Sequence, residues 1–321
     1  MVKTHVHFPT DYNLLWDAAR KCIEISCQLA EKQGLSSWRK ASDWKKRVKR
    51  AFRTVQKVKK SGGKNKESRL GFAVGSYLEL ATRLTKKIYE FKAIVKDPCS
   101  ISDINLQVSL DYFHQMLDKH IDLVDRRLLQ GQKIPHHEKV FSLFEPHTGW
   151  INKGKAGVVA ELGQKHLIVT DQNHFIVHQQ LIGSSTDMEI TIPLIKKLKI
   201  QYQDRLSSIS LDKGFSSNLI IEAVKPIHPN VVIKAKGKPS KARLEVEQSD
   251  EFKHLQNKHQ AIESNINQLT YHGLNICRDK GEENFKKYVS LAVVSYNLHR
   301  LGNLIKKKLN ANSKKRVRKA A

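Results

Sequence analysis

The first third of the chain has the apolar spacing of α-helices. Apolar residues recur every three or four positions in four segments, which is the spacing of one helix face. The predicted helices cover about residues 11–33, 38–60, 76–95 and 106–128. Thr10 or Asp11 is suited to cap the first helix, and Pro98 ends the third. Residues 11–133 are therefore predicted to form one all-helical block.

The pattern changes to alternating strands and helices after residue 139. Apolar runs at 167–169 and 175–177 flank a polar turn and predict a β-hairpin. Two more strands are expected at 207–211 and 231–237, and helices at about 188–199, 218–224, 251–274 and 284–308. The opening run VKTHVHF, residues 2–8, alternates like a further strand. The sequence thus predicts the α/β fold class.

The charge of the chain points to a polyanionic partner. The sequence has 57 Lys and Arg against 31 Asp and Glu, a formal charge of +26, which favours nucleic acid or an anionic membrane. Residues 39–69 are the most basic segment, and Trp38, Trp44 and Phe52 stand among its charges. A basic run is often only a solvated helix face, but the interleaved aromatic residues favour a nucleic-acid contact. A membrane-surface role is disfavoured because the stretch 39–60 has few large apolar residues.

Two acidic residues, Asp212 and Glu263, are candidate catalytic residues. Asp212 directly follows the predicted strand 207–211, and active sites of open α/β sheets lie at the carboxyl ends of strands. An Asp at a strand end is also a common turn residue, and position alone favours the turn. Glu263 shares a predicted helix face with His259 and Asn267, and by itself it is an exposed helical residue.

Several unusual strings occur together in the order of one known family. They are KVFSLFEPHTGWINKGKAG at 139–157, SLDKGF at 210–215, VVIKAKGK at 231–238, HQAIESNINQLTYHGLNIC at 259–277 and YNLHRLGNL at 296–304. With the hairpin, these strings resemble the catalytic domain of bacterial insertion-sequence transposases of the DDE type. The resemblance extends over essentially the whole chain. It implies a ribonuclease-H-like mixed sheet flanked by helices, with a large all-α insertion near the N-terminus.

The resemblance also implies a metal-dependent active site. In this family two Asp and one Glu hold two Mg²⁺ (or Mn²⁺) ions for in-line attack on a phosphodiester. By position, Asp212 matches the second acid and Glu263 the third, so both are candidate metal ligands. Asp187 emerges at the same end of the sheet and either supports this site or caps the next helix. The Tyr, Arg and Lys that many of these enzymes keep around the Glu are replaced by Gln256, His259 and Thr270.

The first acid of the family precedes the segment that VKTHVHF resembles. The resemblance therefore implies that this acid lies upstream of Met1, and that the chain as given is impaired in strand transfer. A truncated gene, a separate reading frame and a misplaced start codon would all give this appearance. Asp171 is no substitute, because the implied topology places it at the opposite end of the sheet, as a turn residue.

The implied partner is double-stranded DNA, both transposon ends and target, bound by a homodimer in the cytoplasm near the nucleoid, with no membrane partner. The candidate DNA-binding residues are Arg39, Lys40, Lys45, Lys46, Arg47, Lys49, Arg50, Lys153, Lys155, Lys234, Lys236 and His259. The expected domains are a remnant of the first core strand at 1–10, a basic helical insertion at 11–133, the catalytic core at 134–305 and a basic tail at 306–321. The alternative function is a catalytically dead, DNA-binding remnant of a transposase.

Overall fold

The computed structural model describes residues 1–152, 160–183 and 185–320. These residues divide into two compact units. The helical unit is Val6–Pro146, and the sheet unit is Met1–His5 together with the described residues from His147 onward. The helical unit thus extends beyond the predicted boundary at residue 133.

The helical unit consists of four long helices. They are α1 (Asp11–Lys32), α2 (Ala41–Lys60), α3 (Lys66–Ile94) and α4 (Ile101–Leu128). Thr10 caps α1 by accepting a hydrogen bond from the Asn13 amide, as predicted. Helix α3 begins well before the predicted residue 76, because Ala73 and Val74 are buried against the other helices and so extend the packed segment.

The aromatic residues of the basic segment pack in or against the core of the helical unit. Trp38 is only 3% exposed, and its ring meets Phe91 edge to face. Phe52 stacks on Trp16 with ring centroids 5.9 Å apart. Trp44 also packs against this core. The rings therefore give no support to a nucleic-acid contact, because packing apolar rings among helices is more favourable than exposing them to water. The contact itself stays a prediction that rests on the charges of the segment.

The sheet unit alternates short strands with helices. Its strands are β1 (Val2–Thr4), β2 (Gly149–Ile151), β3 (Glu161–Gln164), β4 (His166–Thr170), β5 (Ile176–Leu181), β6 (Ile209–Leu211), β7 (Val231–Ile233) and β8 (Ile276–Cys277). Its helices are α5 (Asp187–Tyr202), α6 (Asn218–Val224), α7 (Lys241–Gln248), α8 (Asp250–His259), α9 (Ala261–Tyr271) and α10 (Glu282–Ala320). The α/β class is confirmed, and the predicted basic tail is part of α10.

The described strands form three small sheets. The largest has the order β2-β3-β1-β8, and the other two are the antiparallel hairpin β4-β5 and the parallel pair β6-β7. Strand β1 lies between β3 and β8, with Val2 opposite Gln164 and Lys3 opposite Ile276. Gly163 is required there, since a Cβ atom would overlap the carbonyl oxygen of Val2. Because both edges of β1 are occupied, it does not pair with β6, and the ribonuclease-H-like mixed sheet stays a prediction.

Helix α5 packs on both of the two-stranded sheets. Leu194 and Leu198 lie in a cluster with Leu167 of β4, while Ile195 lies in a cluster with Ile209 of β6. The helix is capped by Thr186, which accepts a hydrogen bond from the Glu189 amide while the Glu189 carboxylate accepts one from the Thr186 amide. The possibility that Asp187 caps this helix is therefore wrong.

A chain of side-chain hydrogen bonds joins the hairpin to α10. His166 Nε2 donates to Gln179 Oε1 at 2.8 Å, and Gln179 Nε2 donates to Ser290 Oγ at 3.0 Å. Burial lowers the pKa of His166 to about 4, although the hydrogen bond with Gln179 opposes this shift. His166 is therefore neutral in the folded protein at neutral pH.

This depressed pKa predicts an acid-sensitive fold. An unfolded His titrates near pH 6.5. Between about pH 6.5 and 4, this side chain is therefore protonated in the unfolded state and neutral in the folded state. The free energy of unfolding thus decreases as the pH falls through this range. We expect the His166 contribution to lower the free energy of unfolding by about 3 kcal/mol across this range. Urea denaturation at pH 7 and pH 4 measures it. His166→Gln should show a shallower pH dependence, and His137→Gln, at an exposed position, should behave as wild type. Equal pH dependence in all three proteins would contradict the assignment.

Candidate active site and nucleic-acid interface

Asp212 lies where the sequence places it, at the carboxyl end of a strand. It directly follows β6 and precedes a 3₁₀ turn, Lys213–Phe215, in which the Phe215 amide donates to the Asp212 carbonyl oxygen at 3.0 Å. Its side chain is exposed and has no hydrogen bond or ion pair with the described residues. The backbone is thus held by the turn while the carboxylate faces solvent, so a turn role and a chemical role are compatible.

Two lysines follow the neighbouring strand at the sheet edge where Asp212 lies. Strands β6 and β7 run parallel with Leu211 opposite Ile233, so the pairing register places Lys234 next to Asp212. Lys236 Nζ donates to the carbonyl oxygen of Gly214 at 2.8 Å. Two of the predicted DNA-binding residues therefore share one sheet edge with the predicted catalytic Asp, because carboxyl ends of parallel strands meet at the same edge.

Helix α7, which the sequence pattern did not predict, fixes the loop that carries these lysines. The Arg243 guanidinium donates to the Ile233 carbonyl oxygen and to Glu247 Oε1, and the same Glu247 oxygen accepts from the Ala235 amide at 2.8 Å. Arg243 also lies over the Phe252 ring of α8, 5.6 Å from its centroid. The signals for α7 were Ser240, which caps it, and the Arg243/Glu247 pair at helical spacing.

Glu263 lies in the first turn of α9 and its carboxylate is exposed, with no partner among the described side chains. The helix is anchored two residues further on by Asn265, which is buried. Tyr296 of α10 donates through its hydroxyl to Asn265 Oδ1 at 3.0 Å and to the His174 carbonyl oxygen at 2.9 Å. Asn265 therefore positions the helix that carries Glu263, a role that sequence reasoning did not find.

The predicted single helix over 251–274 is wrong. It is interrupted at Gln260, which ends α8 and begins α9. The Gln260 amide bonds to the Asn257 carbonyl and the Glu263 amide to the Gln260 carbonyl, both over three residues, so the regular four-residue ladder is lost. His259 therefore belongs to α8 and not to the helix of Glu263. Its Nδ1 atom is buried without a hydrogen-bond partner in the described part of the chain.

The donor chemistry of Asp212 and Glu263 fits a hard divalent cation. Both offer unpaired, solvent-facing carboxylate oxygens, the ligand type that Mg²⁺ prefers. Among the described residues, no group of three His, Cys, Asp or Glu side chains is arranged to hold a metal ion. The Asp187 side chain lies outside the part that the structure describes, as do Lys153 and Lys155.

Asp171 is a turn residue, as predicted. Its Oδ1 atom accepts hydrogen bonds from the Asn173 amide at 2.9 Å and from the Phe175 amide at 2.8 Å. These bonds close the turn between β4 and β5. The carboxylate is thus used by the hairpin itself.

The exposed face of α2 forms a cationic groove. This shallow groove has a volume of about 380 Å³ and is lined by Lys46, Lys49, Arg50, Arg53, Thr54 and Lys57. None of its five cations has an ion pair with the described residues. A concave surface with five unpaired cations and no carboxylate has the electrostatics of a phosphate-binding surface.

The other predicted DNA-binding residues in and before α2 differ in their contacts and exposure. Lys45 is not a free cation, because its Nζ lies 2.7 Å from the Glu24 carboxylate of α1. The Arg47 guanidinium lies over the Trp44 ring, 5.2 Å from its centroid. Arg39 and Lys40 are exposed in the turn before α2. Arg53 and Lys57, which were not among the candidates, lie in the groove and follow Lys46, Lys49 and Arg50 at helical spacing.

The order of strands and helices defines an α/β protein with an exposed carboxylate at the exit of a strand. Residues 123–298 match the family model of the transposase DDE domain. The match covers more than half of the chain, so the protein belongs to the transposase DDE domain family, and the matched region contains Asp187, Asp212 and Glu263. Searches of curated proteins and of solved structures found no match. No described helix has the length and apolarity to cross a membrane.

Proposed function

We propose that the protein is a DDE transposase that cleaves double-stranded DNA and transfers its strands with the help of Mg²⁺ (or Mn²⁺). The observation that carries this proposal is the edge formed by β6 and β7, which lies inside the matched family region. There Asp212 presents an unpaired carboxylate at the edge from which the chain continues to Lys234 and Lys236. A carboxylate that binds a cation and lysines that bind phosphates are the two groups that phosphodiester cleavage requires.

The proposed roles follow from these positions. Asp212 and Glu263 would hold the divalent ion, which would supply Lewis-acid activation of water or a DNA 3′-hydroxyl and charge stabilisation at the leaving oxygen. Asp187 supports this site. Lys234, Lys236 and His259 contact DNA near the scissile phosphate. Arg39, Lys40, Lys153 and Lys155 contact it elsewhere, and the groove on α2 holds the duplex backbone.

A second candidate function is DNA binding without cleavage. It is favoured by the groove on α2, which needs neither Asp212 nor Glu263, and by the lack of a three-residue metal cluster in the described part of the chain. Under this proposal the protein is a remnant that retains phosphate affinity alone. The two candidates differ in one measurable property, strand cleavage.

The test uses a supercoiled plasmid that carries the DNA flanking the gene of this protein. The purified chain should convert it slowly to the nicked form with Mg²⁺ or Mn²⁺, and not with EDTA, because Asp212 and Glu263 supply only two of the three acids of the family. A gel-shift assay on a fragment of the same plasmid measures binding separately. Binding without cleavage in either metal would overturn the transposase proposal and support the second candidate, and the absence of both would contradict both.

A further inference from the structure

Two histidines of the sheet unit lie side by side at its surface. His272 directly follows α9, and His299 lies in α10. The Nε2 atom of His272 and the Nδ1 atom of His299 are 3.1 Å apart, and the two ring centroids are 5.2 Å apart. His299 is exposed and His272 is partly exposed. We call these two residues the histidine pair. Solvent reaches the pair, and neither residue has a role in the proposed catalytic site.

Neighbouring contacts hold His272 in place. Its amide donates to the Leu269 carbonyl oxygen at 3.1 Å, which fixes its backbone at the end of α9. Its ring meets the buried Tyr296 ring edge to face, with centroids 6.0 Å apart. Ser295 Oγ lies 3.2 Å from His272 Nδ1. Ser295 and His299 are one helical turn apart on α10, so both reach the same imidazole from one face of that helix.

The separation of the two facing nitrogens is that of two ligands of one metal ion. Zn²⁺ binds His nitrogen at about 2.0–2.1 Å in tetrahedral geometry, which places two ligand nitrogens about 3.3 Å apart. A small rotation of either ring brings the observed 3.1 Å to this value. A metal-binding His usually donates its other ring N–H to a group that fixes its tautomer and orientation. Ser295 Oγ is that group for His272, because a proton on Nδ1 leaves the Nε2 lone pair facing His299.

We infer that the histidine pair binds a divalent transition-metal ion of the Zn²⁺ class, with His272 Nε2 and His299 Nδ1 as its ligands. Without metal, one of these nitrogens donates a hydrogen bond to the other. When metal binds, His299 takes the tautomer with its proton on Nε2, and the ion occupies the place of the shared proton. Water completes the coordination shell, since no group of three His, Cys, Asp or Glu ligands exists among the described residues.

The ligand type separates this site from the carboxylate site. Neutral imidazole suits Zn²⁺, Cu²⁺ and Ni²⁺, whereas Mg²⁺ prefers oxygen ligands such as those of Asp212 and Glu263. The adjacent cation, Arg300, donates through its Nε to the Asn173 carbonyl oxygen at 3.0 Å. Its guanidinium is thus held at the hairpin turn. The inferred site uses neither of the two acids, so it is independent of the proposed function.

A metal ion on the histidine pair would join α9 to α10 at a second point. The first is the hydrogen bond from the Tyr296 hydroxyl to Asn265 in the middle of α9, and His272 lies at the end of the same helix. Because the pair is assembled only in the folded chain, the ion should stabilise the folded state. The inferred metal is therefore structural.

Isothermal titration calorimetry of the full chain with ZnCl₂ tests this inference. An excess of Mg²⁺ occupies the carboxylates, and a Cys99→Ser parent chain lacks the exposed native thiol. The parent should bind zinc, and both His272→Ala and His299→Ala should reduce the affinity about a hundredfold or more, because a single imidazole loses chelation. Ser295→Ala keeps both ligands and should reduce it about tenfold. Circular dichroism checks that each fold is retained.

The matched control is His136→Gln/His137→Gln, which removes two adjacent exposed histidines of the helical unit. This control should bind zinc as tightly as the parent. A parent that does not bind zinc, or equal affinities in the parent and in the two single His variants, would overturn the inference.

Two further measurements identify the ligands and the effect of the ion. Electron paramagnetic resonance of bound Cu²⁺ should show coupling to two imidazole nitrogens in the parent and to one in His299→Ala. Zinc should raise the Tm of the parent and not that of His299→Ala. A Cu²⁺ spectrum with oxygen ligands alone, or a parent Tm that zinc leaves unchanged, would contradict the assignment.

Discussion

Asp212→Asn is expected to abolish metal-dependent DNA cleavage, with a fall in rate of about a thousandfold or more. The substitution preserves the size of the side chain and removes the negative charge that binds the divalent ion, and such an ion contributes several kcal/mol of transition-state stabilisation. The fold should be unaffected, because the carboxylate is exposed and makes no contact with the described residues. The rate of plasmid nicking in Mg²⁺ and in Mn²⁺ measures the effect.

Asp204→Asn is the matched control for this variant. Asp204 is an exposed aspartate in the 3₁₀ turn Gln203–Arg205, before β6, whereas Asp212 lies after it. The control should cleave as fast as wild type. Nicking by Asp212→Asn at the wild-type rate would show that this carboxylate is not a metal ligand.

Metal and DNA binding separate a chemical role of Asp212 from a structural one. Both Asp212→Asn and Glu263→Gln should weaken Mn²⁺ binding, followed by electron paramagnetic resonance. Neither should weaken binding to duplex DNA, since removing a negative charge reduces repulsion of phosphates. A loss of DNA binding in either variant would indicate misfolding instead.

Replacing the five cations of the α2 groove with Gln should nearly eliminate non-specific DNA binding. The groove residues Lys46, Lys49, Arg50, Arg53 and Lys57 have no ion pair in the described structure, so each is available for a phosphate. Removing one cation that binds a phosphate should reduce the slope of log affinity against log salt by about 0.9, so the full variant should have a slope smaller by about 4.5 units. Fluorescence anisotropy with a short duplex at several KCl concentrations measures the slope.

A pair of two-residue variants on the same helix supplies the control. Lys49→Gln/Arg53→Gln and Lys45→Gln/Arg47→Gln remove the same charge from α2. Only the first pair should strongly reduce the slope, since Lys45 is paired with Glu24 and Arg47 covers the Trp44 ring. Equal slopes for the two variants would mean that net charge matters and that the groove is not a binding surface.

Elements whose signal is local follow from the amino-acid sequence alone. Thr10 caps α1, α6 covers the predicted residues, and the hairpin closes at Asp171. Asp212 was also placed correctly at a strand end. In each case the pattern that predicts the element is contained in a few neighbouring residues, through a capping side chain, an apolar period or a turn residue.

Packing between remote segments selects which of several chemically similar residues are available for function. The aromatic rings of the basic segment have the composition of a base-stacking surface, yet Trp38 is buried in a core, and Trp44 and Phe52 pack against it. Lys45 and Lys49 are indistinguishable in sequence, and only the approach of Glu24 from α1 separates the paired lysine from the free one. The buried face of α10 is also set by packing partners that are distant in sequence, among them Val2 and Ile176. Local periodicity specifies that a face is apolar or charged, but contacts between remote segments determine whether that face is buried, paired or open to DNA.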